Sequence, residues 1–187
     1  VTGSVEEGFA QARKVLSETY TLAYIQHAPM EPRAAVAEWS DGRMTVWAGC
    51  DGPFRARRDV AQACGLPEEK VRVIIPDMGG GFGGKHSAEA AVEAARIAKA
   101  VGRPVSVRWT REEEFTWAYC RPAAVIECRA GLNDSNSIVA WDFTNINAGS
   151  AAISTPYEVP NVRTASVSSN SPVPQGSYRV LAATGNN

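Results

Sequence analysis

The sequence predicts an α+β fold in which helices pack on mixed sheets. Two pairs of segments rich in β-branched and aromatic residues, at 34–48 and 121–143, are joined by short turns and indicate antiparallel hairpins. A third β-branched segment, at 71–75, leads through a glycine-rich loop into an alanine-rich helical pattern. The sequence thus predicts sheets joined both by hairpins and by helices.

Apolar periodicity and turn residues define the elements of the first half. Asp41 and Gly42 favour a tight turn between the two strands of the first hairpin. The basic residues Arg55, Arg57 and Arg58 fall on the outer side of the next helix, which is typical of a solvated face or a subunit contact. The periodicity predicts a helix at 5–16, strands at 19–24, 34–39 and 44–48, and a helix at 54–64.

The second half continues with the glycine-rich loop and the second hairpin. Gly102 is expected to end a helix, and Thr110 with Glu113 has the spacing of a capping box, so the acidic residues 112–114 are interpreted as a helix start. Residues 148–170 are rich in Ser, Asn and Pro, which predicts an extended loop. The predicted elements are a strand at 71–75, a helix at 87–100, and strands at 104–109, 121–132 and 138–143.

Composition and charge exclude several classes of function. The 187 residues are 44% hydrophobic, enough for one domain or for two lobes over 1–109 and 110–187. A net charge of -1 provides no field that would favour nucleic acid or a membrane surface. No apolar stretch is long enough for membrane insertion, and the N-terminus lacks a signal-peptide pattern. Because the chain does not begin with Met, it is expected to be a piece of a longer protein.

The four cysteines do not form a recognisable metal-binding pattern. None of them has the CxxC spacing of a zinc ribbon or an iron–sulfur ligand set, so no metal ligands are predicted. They are interpreted as free thiols in a reducing compartment, with a disulfide pair as the alternative. These residues are Cys50, Cys64, Cys120 and Cys128.

The loop at 79–84, in which five of six residues are glycine, is the central feature. Glycines leave backbone N–H groups uncovered and permit positive φ, so the loop can wrap an anion at the start of the following helix. Gly79, Gly84 and Lys85 match the start of a P-loop, but His86 stands where Ser or Thr would reach Mg²⁺. The loop also fits the dinucleotide fingerprint without its later acidic residue. A third interpretation is a turn that only lets a helix pack closely on a strand.

Four signatures occur together along the chain. They are Gln-His-Ala-Pro-Met-Glu-Pro at 26–32, Gly-Gly-Gly-Phe-Gly-Gly-Lys at 79–85, Trp-Thr-Arg-Glu-Glu-Glu-Phe at 109–115 and Arg-Pro at 121–122. In order and separation they resemble the molybdopterin-binding large subunit of the xanthine dehydrogenase and aldehyde oxidase family. The end of the chain, at 176–187, is most similar to subunits of the isoquinoline 1-oxidoreductase and nicotinate dehydrogenase type.

The resemblance implies a fragment of a molybdenum hydroxylase, with a partial molybdopterin-binding domain over 1–187 and the rest of the large subunit following it. It implies oxidation of an aldehyde or an N-heteroaromatic compound with oxygen from water, molybdopterin cytosine dinucleotide as the cofactor, and iron–sulfur clusters on a partner subunit. The location implied is cytoplasmic, or periplasmic if the protein is exported with a partner.

The resemblance also assigns roles to residues. The family's catalytic glutamate lies beyond Asn187, so no catalytic residue is expected in this chain. The isolated chain is therefore expected to bind cofactor weakly or not at all and to have no turnover. The implied cofactor contacts are Gly79, Gly80, Gly81, Phe82, Gly83, Gly84 and Arg179.

Three further positions are candidates for the substrate pocket. Asp51 stands where the family usually has a glutamine beside molybdenum, and a carboxylate there would repel an oxo group unless it is protonated or turned away. His86 stands where purine-oxidising members commonly have glutamate, which argues against a purine substrate. Arg121 resembles a position that can point toward substrate, or is a simple strand-start arginine. A P-loop-like nucleotide binder and a noncatalytic assembly domain are the alternative functions.

Overall fold

Residues 1–186 are described by the computed structural model, and their contacts separate the chain into two units. Unit 1 combines Val1–Ile25 with the chain from Arg121 onward, and unit 2 is Gln26–Cys120. The boundary expected at 109/110 is therefore replaced by boundaries at 25/26 and 120/121. The physical reason is strand pairing, since residues 14–22 pair with residues 124–132 and draw the N-terminal segment into unit 1.

Unit 2 contains a four-stranded mixed sheet in the order β4-β3-β2-β5. Strand β2 pairs antiparallel with β3 and β5, whereas β3 pairs parallel with β4. The predicted hairpin turn is confirmed, with Asp41 at φ 51° and Gly42 at φ 71°. The strands are β2 (Ala34–Ser40), β3 (Arg43–Ala48), β4 (Val71–Ile74) and β5 (Val105–Arg108).

Unit 2 also contains the α-helices α2 (Pro53–Cys64), α3 (Glu89–Val101) and α4 (Arg111–Trp117). Helix α3 buries a stripe of five alanines, and their small side chains let the helix pack closely with β2 and β3. Met44, Val46 and Val60 are fully buried in the same core. The predicted ends are confirmed, because Gly102 caps α3 in the left-handed conformation and Thr110 forms the capping box of α4.

Unit 1 contains a second four-stranded sheet in the order β1-β6-β7-β8, with one helix packed on β7 and β8. The second predicted hairpin is confirmed as the antiparallel pair β6–β7. The elements are α1 (Val5–Ala10), β1 (Lys14–Leu22), β6 (Ala124–Leu132), β7 (Ile138–Ile146), β8 (Asn161–Val167) and α5 (Ala183–Asn186). The α+β class with mixed sheets is thus confirmed.

Two predictions for unit 1 were wrong. The helix expected at 5–16 ends at Ala10, because the following residues form nine ladder pairs with β6 and this pairing overrides the helical periodicity. The loop expected at 148–170 contains β8, which runs parallel to β7. Its Arg163 bonds Asp142 of β7 at 2.5 and 2.8 Å, a long-range contact that loop composition does not reveal. No helix within residues 1–186 is long and apolar enough to cross a membrane.

Candidate functional site

The glycine-rich loop lies between β4 and α3 and contains a tight turn. The amide of Gly84 donates to the carbonyl of Gly81 at 2.8 Å, and the two central residues have positive φ, 52° for Phe82 and 89° for Gly83. These angles are typical of a type I′ turn, which glycine adopts freely and phenylalanine does not. The left-handed conformation of Phe82 costs about 1–2 kcal/mol. The turn leaves the Phe82 side chain 47% exposed.

Glu31 joins the two ends of this loop. One carboxylate oxygen accepts from the Gly79 amide at 2.7 Å, and the other accepts from the Lys85 ammonium at 2.7 Å. The hydrogen bond from Lys85 is the main reason why the pKa of Glu31 is lowered. The side chain of Lys85 is only 1% exposed, so this cation is buried, whereas the side chain of its partner Glu31 is 40% exposed.

Arg33 anchors the end of the loop from inside unit 2. Its guanidinium lies 2.6 Å from Glu114 and 3.1 Å from Glu89, and it donates to the carbonyl of Gly84. It also lies 5.2 Å from the ring of Trp109, within the range of a cation–π contact. The side chains of Arg33 and Glu114 are 4% and 3% exposed, so the pair is desolvated.

A phenol completes this anchoring. The hydroxyl of Tyr119 donates to the carbonyl of Gly83, and burial raises the pKa of Tyr119. His27 packs edge-on against the Tyr119 ring at 5.3 Å between ring centroids. A Cβ on Gly84 would come within 2.6 Å of the His27 ring, so glycine is required at that position for close packing.

The middle of the loop has backbone amides that are not used within the described part of the chain; Gly80, Phe82 and Gly83 there are at least partly exposed, whereas Gly81 is buried. Within residues 1–186, the amides of Gly80, Gly81, Phe82 and Gly83 have no hydrogen-bond acceptor. The nearby cations Lys85 and Arg33 are each paired with carboxylates. The hydrogen-bonding capacity of the loop therefore lies in its backbone dipoles.

Asp51 and His86 lie together at the edge of the loop. Nδ1 of His86 is 2.5 Å from a carboxylate oxygen of Asp51, and the Asp51 amide donates to the carbonyl of Lys85 at 3.2 Å. Both side chains are partly exposed, 43% for His86 and 35% for Asp51. The Asp51 carboxylate is thus turned toward the imidazole, and the two departures from the family pattern contact each other.

The other two predicted residues belong to unit 1. Arg121 donates from its guanidinium to the carbonyl of Ala23 at 2.9 Å and lies 5.7 Å from the ring of Tyr178. It also lines a cavity of about 140 Å³ together with the 176–185 segment. Arg179 is exposed in the turn that follows Tyr178.

Comparison with known proteins identifies the family. The sequence matches the molybdopterin cofactor-binding domain over residues 1–186. The chain belongs to this family. It is 34% identical over 182 residues to a probable xanthine dehydrogenase component of Bacillus subtilis, covering 89% of the chain and 24% of that protein. It is 33% identical over 141 residues to a nicotinate dehydrogenase component of Pseudomonas putida, covering 75% of the chain and 12% of that protein.

Solved structures show the same fold in this molybdopterin-binding family. Aldehyde oxidoreductase from Desulfovibrio gigas superposes with a TM-score of 0.88 at 21% identity, covering 99% of the chain and 22% of that structure. Quinoline 2-oxidoreductase from Pseudomonas putida 86 superposes with a TM-score of 0.81 at 26% identity, covering 94% of the chain and 25% of that structure. The chain thus spans about a quarter or less of the length of these four proteins.

The geometry argues against the P-loop alternative. In a P-loop the lysine reaches the phosphates, and the helix begins directly after it. Here Lys85 is buried against Glu31, and α3 begins four residues later at Glu89. A loop that binds its ligand through backbone amides does not need a free lysine.

Sequence reasoning missed the residues that hold the loop. In the sequence Glu31 stands out only as part of a signature, Arg33 does not stand out, and Glu114 belongs to a predicted helix start although its side chain is buried. The signal for Glu31 was its place in a conspicuous Pro-Met-Glu-Pro segment. Pairing between Arg33 and Glu114, 81 residues apart, has no local signal.

Proposed function

We propose that this chain is the part of a molybdenum hydroxylase large subunit that presents the glycine-rich loop to a molybdopterin cofactor. The observation that carries the proposal is the set of four consecutive amides, at Gly80, Gly81, Phe82 and Gly83, that have no acceptor among residues 1–186. The loop around them is fixed by ion pairs. Such preorganised backbone donors fit a ligand rich in oxygen acceptors, as the cofactor is.

The residues of this chain would bind and orient the cofactor, which supplies the two-electron redox chemistry when bound. The loop amides would donate hydrogen bonds, and Phe82 would present an apolar ring beside them. Gly79 and Gly84 would shape the ends of the loop, since each packs tightly on a neighbouring side chain. For unit 1 we propose, on the family resemblance, that Arg179 contacts the cofactor. No catalytic base is proposed within this chain.

The proposed substrate is an aldehyde or an N-heteroaromatic compound, oxidised with oxygen from water. Similar proteins include nicotinate dehydrogenase, quinoline 2-oxidoreductase and aldehyde oxidoreductase. At the substrate side, Asp51 and His86 would present a carboxylate and an imidazole in contact with each other, so that both polar groups could face the substrate. Arg121 is proposed as a third pocket residue on resemblance alone.

The proposed assembly includes more than this chain. We propose the cytosine dinucleotide form of the cofactor, an iron–sulfur partner subunit and a cytoplasmic location, with export alongside a partner as the alternative. The remainder of the large subunit would supply further cofactor contacts and the catalytic glutamate. The 187-residue chain by itself would then hold cofactor weakly and show no turnover.

Metal and pterin analysis tests this proposal. The native subunit, purified with its partners, should contain about one molybdenum and one pterin per large-subunit copy, whereas the isolated chain should contain neither in stoichiometric amount. Gly80→Ala should reduce the molybdenum and pterin content of the native subunit, because Gly80 has φ +110° and an alanine there is strained. A native subunit without molybdenum would contradict the function, and stoichiometric molybdenum in the isolated chain would contradict the need for the remainder.

A further inference from the structure

The loop is closed into a ring by one side chain from a distant segment. Glu31 lies 48 residues before Gly79 and 54 before Lys85, yet its two oxygens bond both. The seven residues from Gly79 to Lys85 are therefore fixed at their two ends by a single carboxylate. The type I′ turn at Gly81–Gly84 lies inside this ring.

Two glycines enclose the Glu31 carboxylate. A Cβ on Gly79 would lie 2.6 Å from one carboxylate oxygen, and a Cβ on Gly49 would lie 3.0 Å from the other. Real Cβ atoms almost never approach this closely, so any side chain at Gly79 would displace the carboxylate. Glu31 therefore occupies a fitted position and is not simply a surface acid that reaches toward a lysine.

The bond to Glu31 also determines whether the Lys85 ammonium can contact a ligand. A buried ammonium is costly unless it is paired and hydrogen-bonded, and the structure gives Lys85 one carboxylate at 2.7 Å. While this contact is made, the ammonium is engaged inside the protein. The loop then offers a ligand the dipoles of its amides and no free lysine charge.

We propose that Glu31 is the positioning residue of the cofactor-binding loop. By bonding Gly79 and Lys85 at once, it holds the amides from Gly80 to Gly83 in place for the cofactor, and it withdraws Lys85 from direct ligand contact. This inference rests on the proposed function, since it assigns the means by which the same loop is preorganised. The loop recognises its ligand by hydrogen-bond geometry, in contrast to loops that bind phosphate through lysine.

The test uses Glu31→Gln and Lys85→Met in the native subunit purified with its partners. Glutamine cannot accept bonds at both ends, so the ring opens. Hydrogen exchange of the 75–88 segment should become about tenfold faster, the equivalent of one lost charge-assisted bond. Molybdenum and pterin content should fall by more than about half. Glu112→Gln and Lys70→Met are the matched controls, because both side chains are exposed and outside the ring.

Several outcomes would overturn the inference. Wild-type hydrogen exchange of the loop together with wild-type cofactor content in Glu31→Gln would do so. A lower melting temperature without selectively faster hydrogen exchange in the loop would also do so. Lys85→Met should reproduce the cofactor loss of Glu31→Gln. A higher cofactor content in Lys85→Met would contradict the proposal that Glu31 keeps Lys85 away from the ligand. If Glu31→Gln does not accumulate, the double variant with Lys85→Met removes both charges of the pair and must show the faster loop exchange.

Gly80→Ala separates this inference from the proposed function. If Gly80→Ala loses cofactor while Glu31→Gln keeps it, the loop binds cofactor and only the positioning role fails. If the wild-type subunit carries no cofactor, the proposed function fails, whatever Glu31 does to loop exchange.

Discussion

Two ion pairs hold the same loop, and they differ in their access to water. Arg33 and Glu114 are 4% and 3% exposed, whereas Lys85 is 1% exposed and its partner Glu31 is 40% exposed. Loss of either side chain of the Arg33–Glu114 pair leaves a buried charge, whereas in the other pair only the Lys85 ammonium is buried and water reaches the Glu31 carboxylate. We infer that the Arg33 pair secures unit 2 as a whole, while the Glu31 pair secures the shape of the loop.

The largest expected effect comes from breaking the buried pair. Arg33→Met leaves the Glu114 carboxylate and the Gly84 carbonyl without this donor, and it should lower the free energy of unfolding by about 3–5 kcal/mol. Chemical denaturation of the 187-residue chain measures the change. Arg108→Met is the control, because Arg108 is exposed on β5. A loss below about 1 kcal/mol would remove the distinction between the two pairs.

The next effect concerns packing at the point where the Arg33 anchor meets the loop. Gly84→Ala places a Cβ within 2.6 Å of the His27 ring, and overpacking of this kind should cost about 1–3 kcal/mol of unfolding free energy. In the double variant with His27→Ala, the space is available, so the two changes should cost less than their sum. Strict additivity in denaturation experiments would show that this contact does not constrain the loop.

Acid should affect the Glu31 pair in a defined direction. The pKa of Glu31 is lowered, so its ionised form adds stability above its ordinary value of 4.5. This contribution is lost as the pH falls through the lowered value of the folded state. The difference in unfolding free energy between wild type and Glu31→Gln should therefore shrink as the pH is reduced below 4.5. A difference that is constant from neutral pH to that range would exclude the assigned bond.

The smallest effect is expected at an exposed pair. Arg55 and Asp59 lie 3.9 Å apart on α2 with side chains 59% and 39% exposed. Arg55→Ala should change the unfolding free energy by less than about 0.5 kcal/mol, because water screens such pairs. This variant is expected to have the smallest loss of unfolding free energy among the variants compared. A loss as large as that of Arg33→Met would contradict the ranking of these ion pairs by their exposure to water.

The sequence predicted those features that have local causes. The Asp41-Gly42 turn, the Gly102 cap and the Thr110 capping box depend on neighbouring residues, and all three are confirmed. The four signatures, which lie between residues 26 and 122, predicted the family, and this prediction is confirmed by a match over residues 1–186. Features that depend on residues distant in the sequence could not be predicted from it. Strand β8 and the early end of α1 depend on pairing with other strands, which local periodicity does not encode.

In the candidate site, too, local features were predictable from the sequence and long-range contacts were not. The glycine loop was evident from composition, but the contacts that shape it were not. Glu31, Arg33 and Tyr119 lie between 36 and 54 residues from the loop positions they bind. The contact between Asp51 and His86 likewise joins two positions that the sequence could only treat separately. Their assignments to cofactor and substrate stay predictions.

Hydrogen exchange of the loop amides is the most direct test of the central claim. In the native subunit, the amides of the segment from Gly79 to Lys85 should exchange at least about tenfold more slowly with molybdopterin bound than after its removal. The ladder between β1 and β6 should be unchanged and serves as the internal reference. Equal loop exchange in the two states would contradict the claim that these amides bind the cofactor.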